Sequence, residues 1–166
     1  MTNLSNCEAG VRACQTRVLC LGNELLGDDA LGHIVADRLI PYACADTEVI
    51  STPEAGFYLL DHILNADRLV VVDTAITGKA PIGTIHVLRA NELEVVAGSA
   101  PHYVGLYESF MLARRLGLPV VKELIVVAVE VASCLEFGGE MHSEVRDAIP
   151  VVIDTVRKLI ADGFSV

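Results

Sequence analysis

At 166 residues with 52% hydrophobic content, the chain is long enough for one compact domain built around a single core. A formal charge of -10 leaves no basic footprint for a phosphate backbone, which argues against a nucleic-acid partner, and every apolar run is broken by charge before roughly 18 residues, which argues against a membrane span. The five cysteines, Cys7, Cys14, Cys20, Cys44 and Cys134, form no CxxC pair, and with no export signal visible their odd number suits a reducing cytoplasm.

Residues 1–16 are polar and lack apolar periodicity, so they read as a loose lead-in to a single domain over 17–166. Arg17-Val-Leu-Cys-Leu21 has the unbroken apolar character of a strand buried on both faces of a parallel sheet, and it ends at Gly22. From Asp28 to about Ile40, Leu31, Ile34, Val35 and Leu39 recur at helical spacing; Asp28 and Asp29 supply capping and dipole chemistry at the start, and Pro41 stops the helix. A second strand is expected near Thr47–Ser51, a helix around Gly56–Leu64, and a third strand at Arg68–Asp73 that ends on a carboxylate. Gly83–Leu88 reads as a strand, the stretch to Ala100 as polar and irregular, Val104–Leu116 as a helix, Glu123–Val129 as a strand, and Ser143–Ala161 as a long closing helix. This alternation predicts a single-domain α/β three-layer sandwich, a mostly parallel twisted sheet with helices on both faces.

The turn Gly22-Asn23-Glu24-Leu25-Leu26-Gly27-Asp28-Asp29 sits between strand and helix, where many α/β proteins cradle a phosphate. Here Asp28 and Asp29 occupy the places where a P-loop has lysine and serine or threonine, and the dinucleotide fingerprint lacks its third glycine. Two carboxylates at a helix entrance repel phosphate and suit a cation. Ligands of parallel sheets bind beyond the carboxyl ends of the strands, and two further groups head for that edge. Asp73 terminates the Val-Val-Val run, and His102 follows Pro101 at a loop-to-helix junction. Asp29, Asp73 and His102 make a mixed oxygen and nitrogen set suited to a divalent ion such as zinc or nickel, with coordination positions left open. Taken singly, each has an ordinary account: Asp29 as a helix-start residue, Asp73 as an acceptor of turn amides, His102 as a capping or buried histidine. His33, His62, His86 and His142 are expected at the surface or in the core, Glu24 in solvent, and Cys20 as a small core residue.

The sequence Gly22-Asn23-Glu24-Leu25-Leu26-Gly27-Asp28-Asp29-Ala30-Leu31-Gly32, the strand ending at Asp73, Ala80-Pro81-Ile82-Gly83-Thr84 and Pro101-His102-Tyr103-Val104-Gly105-Leu106 together resemble the hydrogenase maturation endopeptidases. The resemblance covers nearly the whole chain after residue 16. It implies a metal-dependent endopeptidase that removes the C-terminal extension of a nickel-iron hydrogenase large-subunit precursor after nickel insertion. In that family the carboxylate, aspartate and histidine trio binds a metal ion, which carries over to Asp29, Asp73 and His102 as metal ligands and as candidate catalytic groups. The implied nickel is carried by the substrate, no organic cofactor is expected, and the implied partner is the nickel-loaded precursor, met in the cytoplasm by a monomer. A non-catalytic nickel-binding chaperone and a small metallohydrolase with its own zinc are the alternative functions. Two stretches depart from the family pattern: Ser51-Thr52-Pro53-Glu54-Ala55-Gly56 keeps only the last glycine of an Asp-Gly-Gly-Thr-x-Gly-like turn, and Met141-His142-Ser143-Glu144 replaces a Leu-Ser-Pro-like start of the last helix.

Overall fold

The computed structural model describes residues 14–96, 101–133 and 137–162, with side chains described for all of these except 14, 94–96 and 101–104. Five strands form one sheet: β1 (Cys14–Leu21), β2 (Thr47–Thr52), β3 (Ala66–Ala75), β4 (Ile85–Arg89) and β5 (Glu123–Glu130). Their spatial order is β2-β1-β3-β5-β4. The pairs β1–β2, β1–β3 and β3–β5 are parallel, and β4 adds an antiparallel edge against β5. The α-helices are α1 (Leu31–Leu39), α2 (Ala90–Val96), α3 (Pro101–Arg115) and α4 (Ser143–Asp162).

The apolar runs of β1, β3 and β5 are continuous because both faces of the sheet are covered, and alternate residues feed separate cores. Val18, Cys20, Val70, Val72, Ile125, Val127 and Val129 pack with Leu31, Val35 and Leu39 of α1 and with Val145, Ile149, Val152 and Val156 of α4. Their neighbours Leu19, Leu21, Leu69, Val71, Val126 and Ala128 meet Leu59 and Ile63 on one side chain layer with Leu93 of α2 and Leu106, Phe110 and Ala113 of α3. The result is the three-layer α/β sandwich expected from the sequence.

Several elements differ in kind or extent from the sequence expectation. Residues 1–13 of the expected lead-in lie outside the described residues, while Cys14–Thr16 already belong to β1, where Cys14 pairs with Ala66 and Thr16 with Thr47 and Arg68. The helix expected from Asp28 opens as a 3-10 turn, Gly27–Ala30, and neither that turn nor α1 carries a side-chain cap. Asp28 and Asp29 therefore do not cap as expected, because their oxygens are engaged by other parts of the chain. Pro41 does not end the chain's helical path abruptly, since Ile40–Tyr42 continues as a 3-10 turn. The expected helix near Gly56 is a 3-10 segment, Gly56–His62. The stretch after β4 is not wholly irregular: it holds α2, started by a hydrogen bond from the Arg89 N–H to Glu92 Oε2 at 2.7 Å.

Chain order and strand order together create a switch point. The connection from β1 through α1 leads to β2 on one side, whereas β3 lies on the other side of β1. At such a switch point ligands bind beyond the carboxyl ends of the strands; here Asp73 stands near the end of β3 itself and Asp29 in the turn that follows β1. Gly32 keeps α1 close to the end of β1, since a Cβ there would overlap the Leu21 carbonyl. Gly32→Ala is therefore expected to lower stability by about 1–3 kcal/mol. An unchanged urea midpoint would refute this account of the helix-strand contact.

Candidate active site

After Leu21 the chain turns at Gly22, whose φ of 144° and proximity to the Asp29 carbonyl leave no room for a side chain. The turn delivers Asp29 to the end of the sheet, 4% exposed. Asp29 Oδ2 accepts the Asn23 N–H at 2.9 Å and Oδ1 accepts the Thr74 hydroxyl at 2.9 Å. Asp73, next to Thr74 on the central strand β3, is fully buried. Its Oδ1 accepts the Thr74 N–H at 2.7 Å, and its Oδ2 has no hydrogen-bond partner among the described residues. Thr74 thus links the two carboxylates, giving its hydroxyl to one and its amide to the other.

Burial pushes the Asp73 carboxyl up to about 8; the Thr74 amide pulls it down, and the negative charge of Asp29 adds to the rise. The contrast with other buried carboxylates at this edge is informative. Glu130, at the end of β5, accepts the Thr77 N–H (2.8 Å), the Thr77 hydroxyl (2.7 Å), the Gly78 N–H (2.8 Å) and His86 Nε2 (3.1 Å). Burial would raise the Glu130 carboxyl, but these bonds outweigh it and hold it below its usual value. Asp28 receives two bonds from His142. Asp29 also receives two, and Asp73 one. Buried polar atoms are ordinarily paired, so Asp73 Oδ2, with no hydrogen-bond partner among the described residues, leaves unfilled capacity for a ligand at this edge. A divalent cation suits two adjacent carboxylates better than any neutral guest does, and it would offset the mutual repulsion that Asp73 feels from Asp29.

The structure brings Asp29 and Asp73 together. The backbone of His102 lies in the first turn of α3, whose start faces the same edge because α3 runs on into the amino end of β5. Gly105 of α3 abuts Gly56 at the close of the loop leaving β2. The His102 side chain lies outside the described residues. Among the described residues no group of three or more His, Cys, Asp or Glu is arranged to hold a metal ion. The remaining expectations fare differently. Cys20 is buried in the core with its thiol pushed up to about 12 by desolvation, and Glu24 is exposed. The four other histidines all meet carboxylates: His62 with Glu54 at 2.8 Å, His86 with Glu130, His142 with Asp28, and His33 within 3.5 Å of Glu24. Sequence reasoning missed Thr74, Glu130 and the Asp28–His142 pair. Glu130 had a signal, since it ends an apolar strand on a carboxylate as Asp73 does; the pairing of Asp28 with a residue 114 positions away had none.

Comparison with known proteins adds to this geometry. Residues 38–159 match the family model described as hydrogenase maturation protease. The Hydrogenase 2 maturation protease of Escherichia coli (strain K12) is 32% identical over 116 residues, covering 68% of this chain and 70% of that protein. The hydrogenase expression/formation protein HupD of Thiocapsa roseopersicina is 27% identical over 149 residues, 87% of this chain. The chain spans just under two thirds of the length of that protein and of HupM from Azotobacter chroococcum mcd 1, at 66% and 63%. Among solved structures, the hydrogenase maturating endopeptidase HybD from E. coli superposes with a TM-score of 0.78 at 27% identity, over 90% of this chain and 94% of that one.

Taken alone, Asp73 is expected to contribute stability that falls as pH rises from about 4 to about 8. The unfolded carboxyl ionises near pH 4 and the folded one near 8, so between these values folding retains a proton that the unfolded chain has released. Its contribution is lost progressively across that window. Asp73→Asn keeps an acceptor for the Thr74 N–H without this loss, so its stability advantage over the parent should be larger at pH 7.5 than at pH 4.5 in urea titrations. An advantage that does not grow with pH would contradict the burial of an ionisable Asp73.

Proposed function

The chain belongs to the hydrogenase maturation protease family, and from that premise we propose that it is a cytoplasmic, monomeric endopeptidase that trims the C-terminal extension of a nickel-iron hydrogenase large-subunit precursor once nickel is inserted. The observation that carries the proposal is the buried, unpartnered Oδ2 of Asp73 beside Asp29 at the switch point of the sheet. The nickel is part of the substrate. Asp29 and Asp73 engage it as oxygen donors, and His102, which the sequence motif implies as third donor, completes an open set. Engagement presents the adjoining scissile bond and makes cleavage conditional on metal insertion.

Hydrolysis adds the hydroxyl of water to the scissile carbonyl carbon and a proton to the departing amine. A divalent ion beside that carbonyl stabilises the charge that develops on its oxygen. Two features of the surface support a polypeptide substrate. Leu25, Phe57, Tyr58 and Phe137 are large and exposed, and all lie in the connections that follow β1, β2 and β5, Phe57 and Tyr58 within the 3-10 segment Gly56–His62. A cleft between the Gly22–Leu25 turn and Ser51 and Pro53 also opens beside the Asn23 amide that holds Asp29.

Incubation of the purified protein with nickel-loaded and nickel-free precursor, followed by intact mass measurement of the large subunit, tests the proposal. Loss of the C-terminal extension from the loaded form alone is expected. Equal cleavage of both forms would defeat nickel sensing, and an unchanged mass for both would favour a nickel-holding chaperone instead. Alanine in place of Asp29, Asp73 or His102 should abolish processing, and full processing by any one of these variants would remove that residue from the ligand set.

A further inference from the structure

Asp28 is as deeply buried as Asp29, and both of its carboxylate oxygens accept a hydrogen bond from one distant residue. Oδ1 accepts the backbone N–H of His142 at 2.7 Å, and Oδ2 accepts its Nδ1–H at 2.8 Å. A carboxylate only accepts, so this bond sets the proton on Nδ1. His142 immediately precedes α4, and its carbonyl receives the Arg146 N–H at 3.0 Å, the first bond of that helix. Asp28 therefore caps α4 from outside the helix, with its negative charge at the positive end of the dipole.

The same contact holds the turn that carries Asp29. The 3-10 turn Gly27–Ala30 has no side-chain cap. Its side-chain anchors are Asp28 to α4 on one side, and Asp29 to Asn23 and Thr74 on the other. Adjacent residues in so short a turn share rigid peptide planes, so a shift of Asp28 carries Asp29 with it. From this geometry we propose that Asp28 and His142 form a positioning pair for the active site, fixing the turn against α4 and thereby setting where the Asp29 carboxylate stands relative to Asp73. The inference rests on the reading of Asp29 as a ligand of the substrate's nickel. Groups that orient a metal ligand from behind typically contribute about 10–100-fold to affinity or activity, which is the scale expected here.

The test compares processing of nickel-loaded precursor by the full chain carrying His142→Ala, His142→Asn or Asp29→Ala, below the melting temperature of each. Loss of the Nδ1–H donor in His142→Ala should lower kcat by about 10–100-fold with KM unchanged. His142→Asn, whose amide N–H can take the place of Nδ1–H, should recover most of the loss. Should His142→Ala fail to fold, Asp28→Ala serves instead, because it removes both acceptors, and the same fall in kcat is expected. Parental kcat in a folded variant overturns the inference, as does a loss that His142→Asn leaves unrecovered. Full processing by Asp29→Ala would defeat the ligand reading and this inference together, whereas loss in Asp29→Ala beside full activity in His142→Ala defeats this inference alone.

Discussion

The burial of the Asp73 carboxylate at the end of a central strand is the constraint around which this edge of the molecule is organised. β3 has a neighbour on each side, and Asp73 itself is paired in register with Ala128, so water has no ready approach from within the sheet. Desolvation is the largest influence on the group, and a single amide offsets little of it. Such a cost persists where a guest of opposite charge supplies the missing interaction. Asp29 intensifies the cost by bringing a second carboxylate near, and Thr74 limits it by donating to both.

The two cores give this arrangement its rigidity. One face of the sheet is locked by α1 and α4 and the other by the Gly56–His62 segment, α2 and α3, with alternate residues of the same strands serving each. The loops at the carboxyl edge then need only short tethers. Glu130 gathers the loop after β3 through Thr77 and Gly78, and Asp28 ties the turn after β1 to the start of α4. These satisfied carboxylates are structural counterparts of the unsatisfied one. Similar residues at the same edge thus have different roles, decided by how many donors reach each.

For a family member proposed to read a metal that arrives with its substrate, an incompletely satisfied pair of carboxylates is a physically apt site. An isolated closed set of four ligands would retain an ion of its own, whereas an open set shares one with the protein that brings it. The exposed aromatic and aliphatic side chains on the surrounding loops extend the contact surface well beyond the ion.

Much of this was legible in the chain itself. Unbroken apolar runs revealed the buried strands, because a parallel sheet covered on both faces needs no polar alternation, and the carboxylates in the Gly22–Asp29 turn and at Asp73 stood out as charges where apolar character should continue. The antiparallel direction of β4, the 3-10 form of Gly56–His62 and the early start of β1 did not show, since each is decided by neighbours remote in sequence. The same holds for Asp28 and Asp29, which look alike as helix-start residues. Their spacing along the chain could nominate both, but only the folded arrangement, by presenting His142 to one and Thr74 to the other, decided which would anchor a helix and which would stand beside Asp73. Local sequence sets periodicity and chemical type, whereas hydrogen-bond partners across the fold are chosen by packing.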